Sequence, residues 1–175
     1  MKLGSLLFFL KLKSLYAKIK VVHHLKNRIE ITRTNSENLE FKKLVQLLNS
    51  DLARRDGNTH SLSQFNSIND LKHVVLALKN GKSIGCGAIS MHNSNTMEIK
   101  RMYVSSEVRG QRIGEKILCE LEDWSRELKF TKCILFTGSK QPEASKLYQR
   151  NGYNPMEKYG KLKDIPDSLC FAKNL

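Results

Sequence analysis

Between Met97 and Phe136 the chain reads as strand, basic glycine turn, long helix and strand, and this succession narrows the fold more than any other feature. MEIKRMYV (97–104) has the composition of a strand. Ile99, Met102 and Val104 are apolar. Strict alternation would put 99 and 102 on opposite faces. A β-bulge between them would bring both to one face and leave backbone groups there unpaired. SSEVRGQRIG follows as the turn. Ile113, Ile117, Leu121, Trp124 and Leu128, with Leu118 beside them, then form one apolar stripe at helical spacing. Glu115, Glu120, Glu122, Asp123, Arg126 and Glu127 are placed on the opposite, solvated side. KCILF (132–136) returns as a strand and completes a β–α–β unit.

Upstream the pattern is that of an antiparallel run. Arg28 to Thr32 alternates and reads as a first strand. Asn35-Ser36-Glu37 opens a helix that continues through Leu39, Leu44, Val45, Leu47 and Leu48, and Asp56-Gly57-Asn58 breaks it. Ser61 to Asp70 reads as a short second helix. His73–Leu78 and Ser83–Met91 are strands joined by Asn80-Gly81, a strong two-residue hairpin signal. Gly85 and Gly87 inside the second strand imply close backbone approach. Downstream, Pro142 starts a helix that Asn151-Gly152 ends. Tyr153 opens a short strand, and Ser168 to Lys173 forms a last one. The expected fold class is α+β, a twisted mixed sheet flanked by helices. Residues 28–175 form one domain, and 1–27 are expected to lie outside it.

The opening of the helix at Ile113 is chemically specific. A helix leaves its first N–H groups without internal acceptors, and its N-terminal end favours anions. Arg109-Gly110-Gln111-Arg112-Ile113-Gly114 places those groups and two guanidinium groups together, which suits a phosphate. The formal net charge of +13 fits anionic ligands in general. Lysines 2, 11, 13, 18, 20 and 26, with no acid before residue 28, supply nearly half of it. Aromatics make up 7% of the chain and are not interleaved with Lys or Arg as a stacking surface, so no nucleic acid is expected as partner.

Leu6 to Leu10 is an apolar run of five residues, whereas a membrane-spanning helix needs about 20. The segment also lacks a small-residue cleavage site. A basic surface helix and an export signal are the alternatives to a plain extension for residues 1–27. Cys86, Cys119, Cys133 and Cys170 form no CxxC pair, so no metal is called for. Three fall in predicted strands and one in a helix. Reduced, structural thiols imply a cytoplasmic protein.

A second segment sharpens the phosphate reading. Gln141, Ala144, Leu147, Tyr148, Gly152 and Tyr153 match the spacing N-x-x-A-x-x-L-Y-x-x-x-G-F/Y, and Arg109 to Gly114 matches most of Q/R-x-x-G-x-G/A. The two together, about 30 residues apart, resemble the GNAT superfamily of N-acetyltransferases over about residues 28–175, closest to small bacterial members. The Tyr159-Gly160 pair and a closing strand such as Ser168–Phe171 also occur in them. Arg112 stands where those proteins carry the middle glycine, and Gly110 and Gly114 flank it. No G-x-G-x-x-G exists, so a dinucleotide-binding reading fails.

The resemblance implies an acetyltransferase that takes acetyl-CoA and acetylates a primary amine by direct attack. It implies a coenzyme site at Met102, Tyr103, Val104, Arg109, Gly110, Gln111, Arg112, Ile113, Gly114 and Gln141. Tyr148 is implied as the donor to the leaving thiolate, and a backbone N–H near Met102 or Tyr103 as the oxyanion donor. An alkylammonium must lose a proton before it attacks, which calls for a base. Glu98 is the candidate, a water chain the alternative, with His73 and Glu107 behind it. The acceptor is expected near residues 50–70, where Asp51, Arg54, Arg55, Asp56, Asn58 and His60 are polar. The resemblance is also compatible with a homodimer. A non-catalytic acyl-CoA-binding regulatory domain on the same fold is the main rival, and a basic nucleic-acid-binding protein the lesser one.

Overall fold

The structure is a computed structural model, and it describes residues 28–56, 68 and 71–175. The expected N-terminal extension, the helix at 61–70, and Asn58 and His60 lie outside or almost wholly outside the described residues. Among the described residues seven strands form one sheet. They are β1 (Ile29–Thr34), β2 (His73–Lys79), β3 (Lys82–Asn93), β4 (Thr96–Val104), β5 (Lys132–Gly138), β6 (Asn154–Met156) and β7 (Ser168–Asn174). Their order is β1-β2-β3-β4-β5-β7-β6. All neighbours are antiparallel except β4 and β5, which the β–α–β unit makes parallel. The described helices are α1 (Leu39–Asp56), α2 (Ile113–Glu127) and α3 (Pro142–Arg150).

Local chemistry accounts for the element boundaries. Asn80 and Gly81 both have positive φ, and Lys79 pairs with Lys82 across them, so the predicted two-residue hairpin forms. The first helix starts later than the sequence suggested. Asn38, not the Asn35–Glu37 stretch, caps α1, its Oδ1 accepting from the N–H of Glu40 (2.9 Å) and Phe41 (3.2 Å). Asn35 instead closes a turn on the N–H of Glu37. Leu39 and Leu47 are exposed, and the buried stripe is Phe41, Leu44, Val45 and Leu48. Phe41, Leu44 and Val45 pack with Val74, Leu76, Cys86 and Ala88 on one face of the sheet. Ile113, Ile117, Leu118 and Leu121 of α2 cover the other face, on Val75, Ile89, Ile99 and Leu135.

The approach of α2 explains the strand glycines. A Cβ at Gly85 would lie 2.9 Å from the Tyr103 carbonyl oxygen, and one at Gly87 would lie 2.8 Å from Ile117 Cγ2. One residue of α2 breaks its pattern. Glu122, assigned to the solvated side, is buried, with Lys173 Nζ 2.6 Å from its Oε2. An ion pair reaching from β7 allows that burial. Cys119, grouped with the buried thiols, is exposed, and all four cysteines are free.

Candidate active site

Two irregularities in β4 build the site. The pairing of β4 with β3 slips between Cys86↔Tyr103 and Ala88↔Lys100, so Arg101 and Met102 together oppose Gly87. This is the expected bulge, with Arg101 at a positive φ of 54°. It puts Ile99 and Met102 with the same core cluster. Next, β4 pairs with β5 only at Thr96–Glu98 against Lys132–Ile134. Beyond Glu98 the two parallel strands part, β5 staying with β7 and β4 with β3. The edge of β4 at 99–104 that faces β5 is therefore open to an extended amide-bearing ligand.

A cavity of about 360 Å³ lies along this unpaired end of β4. Met102, Tyr103 and Val104 form its floor. Arg109, Gly110, Arg112, Ile113 and Gly114 form one end, and Gln141, Ala144, Leu147 and Tyr148 of the α3 region form a wall. Nine of the ten residues expected at the coenzyme site thus line one cavity. Gln111 does not line it, and its Oε1 accepts from Lys79 Nζ at 3.2 Å.

The turn is shaped for an anion. Gly110 has φ 81°, and Arg112, the N-cap residue of α2, is left-handed at φ 56° and ψ 24°. Arg112 thus takes the conformation that glycine would take at this position. The first internal helix bond comes only at Lys116 N–H to Arg112 O (3.2 Å). Arg109 Nε donates to Val104 O (3.0 Å), and its Nη2 lies 3.1 Å from Asp51 Oδ2. Asp51 also pairs with Arg54 and Arg55, and Arg55 pairs with Glu143 of α3. Burial alone would raise the Asp51 pKa, but hydrogen bonds from Arg109, Arg54 and Arg55 bring it below the usual value. Asp51 and Arg55, expected to meet the acceptor, line the same cavity as the Arg109–Gly114 turn, and so do Leu48 and Leu52. Sequence reasoning missed these contacts because they come from a helix far upstream.

Tyr148 is buried, with its ring 5.9 Å from that of Tyr153 and 6.2 Å from that of Phe171. Burial raises its pKa well above the ordinary phenol value, so it stays protonated at neutral pH. Glu98 lies on β4 just where the strands part and does not line the cavity. Its Oε1 accepts from Tyr159 OH (2.8 Å), and its Oε2 lies 3.1 Å from Lys100 Nζ. Neither His73 nor Glu107 lines the cavity. His73 stands edge-on to Trp124, ring centroids 4.8 Å apart, and Glu107 is exposed in the 3-10 turn Ser106–Val108.

The sequence profile of the Acetyltransferase (GNAT) family matches residues 41–153. The chain belongs to the GNAT acetyltransferase family. It is 33% identical over 107 residues to the IAA acetyltransferase of Azospirillum brasilense, covering 61% of this chain and 69% of that one. It is 31% identical over 121 residues to the aminoalkylphosphonate N-acetyltransferase of Salmonella typhimurium, covering 65% and 75%. A GNAT family acetyltransferase from Elizabethkingia anophelis, solved with acetyl-CoA bound, superposes with a TM-score of 0.62. That match covers 84% of this chain and 98% of that one at 19% identity, and shows the fold. This GNAT protein is an acyltransferase that moves an acetyl group from acetyl-CoA to an amine. The cavity suits that substrate: a cationic turn at a helix start for a diphosphate, and an open strand edge for amides. Among the described residues no helix is long and apolar enough to cross a membrane.

Proposed function

We propose that this GNAT enzyme acetylates a small primary amine, with Tyr148 as proton donor to the leaving thiolate and Glu98 as base. The observation that carries the reading is the parting of β4 from β5 beside the Arg109–Gly114 turn, with Tyr148 in the wall of the same cavity. Acetyl-CoA supplies a thioester carbonyl and a thiol leaving group. Arg109, Arg112 and the first amides of α2 hold its diphosphate. The edge of β4 pairs with its pantetheine amides, and a backbone N–H at Met102 or Tyr103 receives the developing oxyanion. Tyr148, kept protonated by burial, gives its proton to the departing sulfur and is restored by the proton that the nitrogen sheds as the amide forms. Glu98, outside the cavity wall, takes the proton of the amine through water at the parting.

The acceptor amine itself is open. The Salmonella relative is named for aminoalkylphosphonates, so small amines of that kind are the first to assay. Four free thiols, three of them buried, support a cytoplasmic setting.

Thiol release from acetyl-CoA across amine classes tests the reading. Tyr148→Phe is expected to lower kcat by about 10²-fold, the scale of one general acid. Its affinity for acetyl-CoA, read by calorimetry, should change by less than about twofold. Saturable coenzyme binding with no thiol release for any amine would instead establish a regulatory domain.

A further inference from the structure

The loop at residues 157–167 has a construction that the reaction as described does not use. Its Leu162 and Ile165 pack against Cys170 of β7, with Phe136, Met156 and Tyr159 alongside. Lys158 Nζ closes it by donating to the carbonyls of Ile165 (2.5 Å) and Pro166 (3.0 Å). Ser168 Oγ lies 2.9 Å from the Ile165 carbonyl oxygen. The braced loop carries one side chain out to β4: Tyr159 OH donates to Glu98 Oε1 at 2.8 Å. The His92 ring of β3 stands edge-on to Tyr159, centroids 5.2 Å apart.

We propose that Tyr159 is a positioning residue that fixes the Glu98 carboxylate for proton abstraction. The inference rests on the reading of Glu98 as the base. A carboxylate offers about four lone-pair sites. Tyr159 and Lys100 occupy one on each oxygen and leave the others for an ammonium or a bridging water. In the step itself an N–H bond of the acceptor's ammonium breaks and an O–H bond forms on Glu98, through water or directly. The electron pair left on nitrogen attacks the thioester, and Tyr159 keeps its own proton. Burial and the neighbouring Glu98 raise the Tyr159 pKa, so it is a donor throughout the working range. The other charged or titratable groups around the pair are Lys100 and Arg101 of β4, His92 of β3, Lys158 of the loop and Cys170 of β7.

A double-mutant cycle on the full chain tests this, read as kcat for thiol release and as acetyl-CoA affinity by calorimetry. Glu98→Gln should lower kcat by about 10²-fold. Tyr159→Phe should lower it by about tenfold at unchanged acetyl-CoA affinity, as expected for lost orientation. In the Glu98→Gln background, Tyr159→Phe should have less than about a twofold effect, because the two act as one unit. Tyr159→Gln, which restores a donor, should recover part of the loss. Independent, multiplying losses, an unchanged kcat in Tyr159→Phe, or equal losses in Tyr159→Phe and Tyr159→Gln would overturn the proposal. An unchanged kcat in Glu98→Gln would instead remove Glu98 as base, and the inference with it, while transfer of the acetyl group stood.

Discussion

Arg112 combines a strained backbone with a cation at the end of the cavity. At φ 56° and ψ 24° it sits in the left-handed region, which costs a non-glycine residue roughly 1 kcal/mol. Its guanidinium belongs to the end of the cavity where the first amides of α2 gather. Replacing it by glycine relieves the strain and removes a cation. Arg112→Gly is therefore expected to leave urea stability unchanged or to raise it by up to about 1 kcal/mol. Acetyl-CoA should bind about three- to tenfold more weakly, the scale of one charge-assisted contact. The salt dependence of binding should flatten as well, since one screened charge is gone. Calorimetry at low and high ionic strength reads both effects, and an unchanged affinity would show that Arg112 does not touch the ligand.

At the scale of elements, the bulge in β4 works only because β3 opposite it carries no side chain. Gly87 faces the doubled Arg101–Met102 step, and a Cβ there would lie 2.6 Å from Met102 Sδ. Two residues away the obstacle is backbone: a Cβ at Gly85 would meet the Tyr103 carbonyl oxygen at 2.9 Å, at the cavity floor. Gly85→Ala must push β3 from β4 or shift α2, and is expected to destabilise the fold by about 1–3 kcal/mol, measurable as a lower urea midpoint. Both glycines were legible in the sequence, and so was the bulge, because a broken alternation between Ile99 and Met102 has few other remedies. Phe41 was not, since a helix offers several near-equivalent stripes and only the packed sheet selects one. Glu122 was misassigned for a related reason: its partner Lys173 lies on a strand 51 residues away. The Tyr159–Glu98 bond, spanning 61 residues, and the Asp51–Arg109 pair, spanning 58, are equally invisible to any local pattern. Local spacing therefore pointed to the Arg109–Gly114 turn and to Tyr148, which line one cavity, while the charged walls around them had to come from the fold.

Across the molecule those walls bind distant pieces of chain into one unit. Asp51 of α1 holds Arg109 of the turn, and Arg55 of α1 holds Glu143 of α3, so three segments meet around the cavity through ion pairs. Elsewhere Trp124 of α2 receives the Arg33 guanidinium of β1, 4.7 Å from its ring centroid, and the edge-on ring of His73 of β2. These two assemblies respond to acid in different windows. Burial, with Lys72 adding to it, lowers the His73 pKa below its ordinary 6.5. The unfolded chain then takes up the proton first, so the stability due to neutral His73 is present above about 6.5 and lost as pH falls through the folded value. Asp51 has a net lowered pKa, so its stabilisation is present above the ordinary 3.8 and lost at lower pH still. Urea midpoints should therefore fall first a little below pH 6.5 and again below about pH 4. His73→Gln should remove the first decline and leave the second, and Asp51→Asn should do the reverse. A first decline that persists in His73→Gln would assign it to some other group and show that the His73–Trp124 contact tolerates an imidazolium.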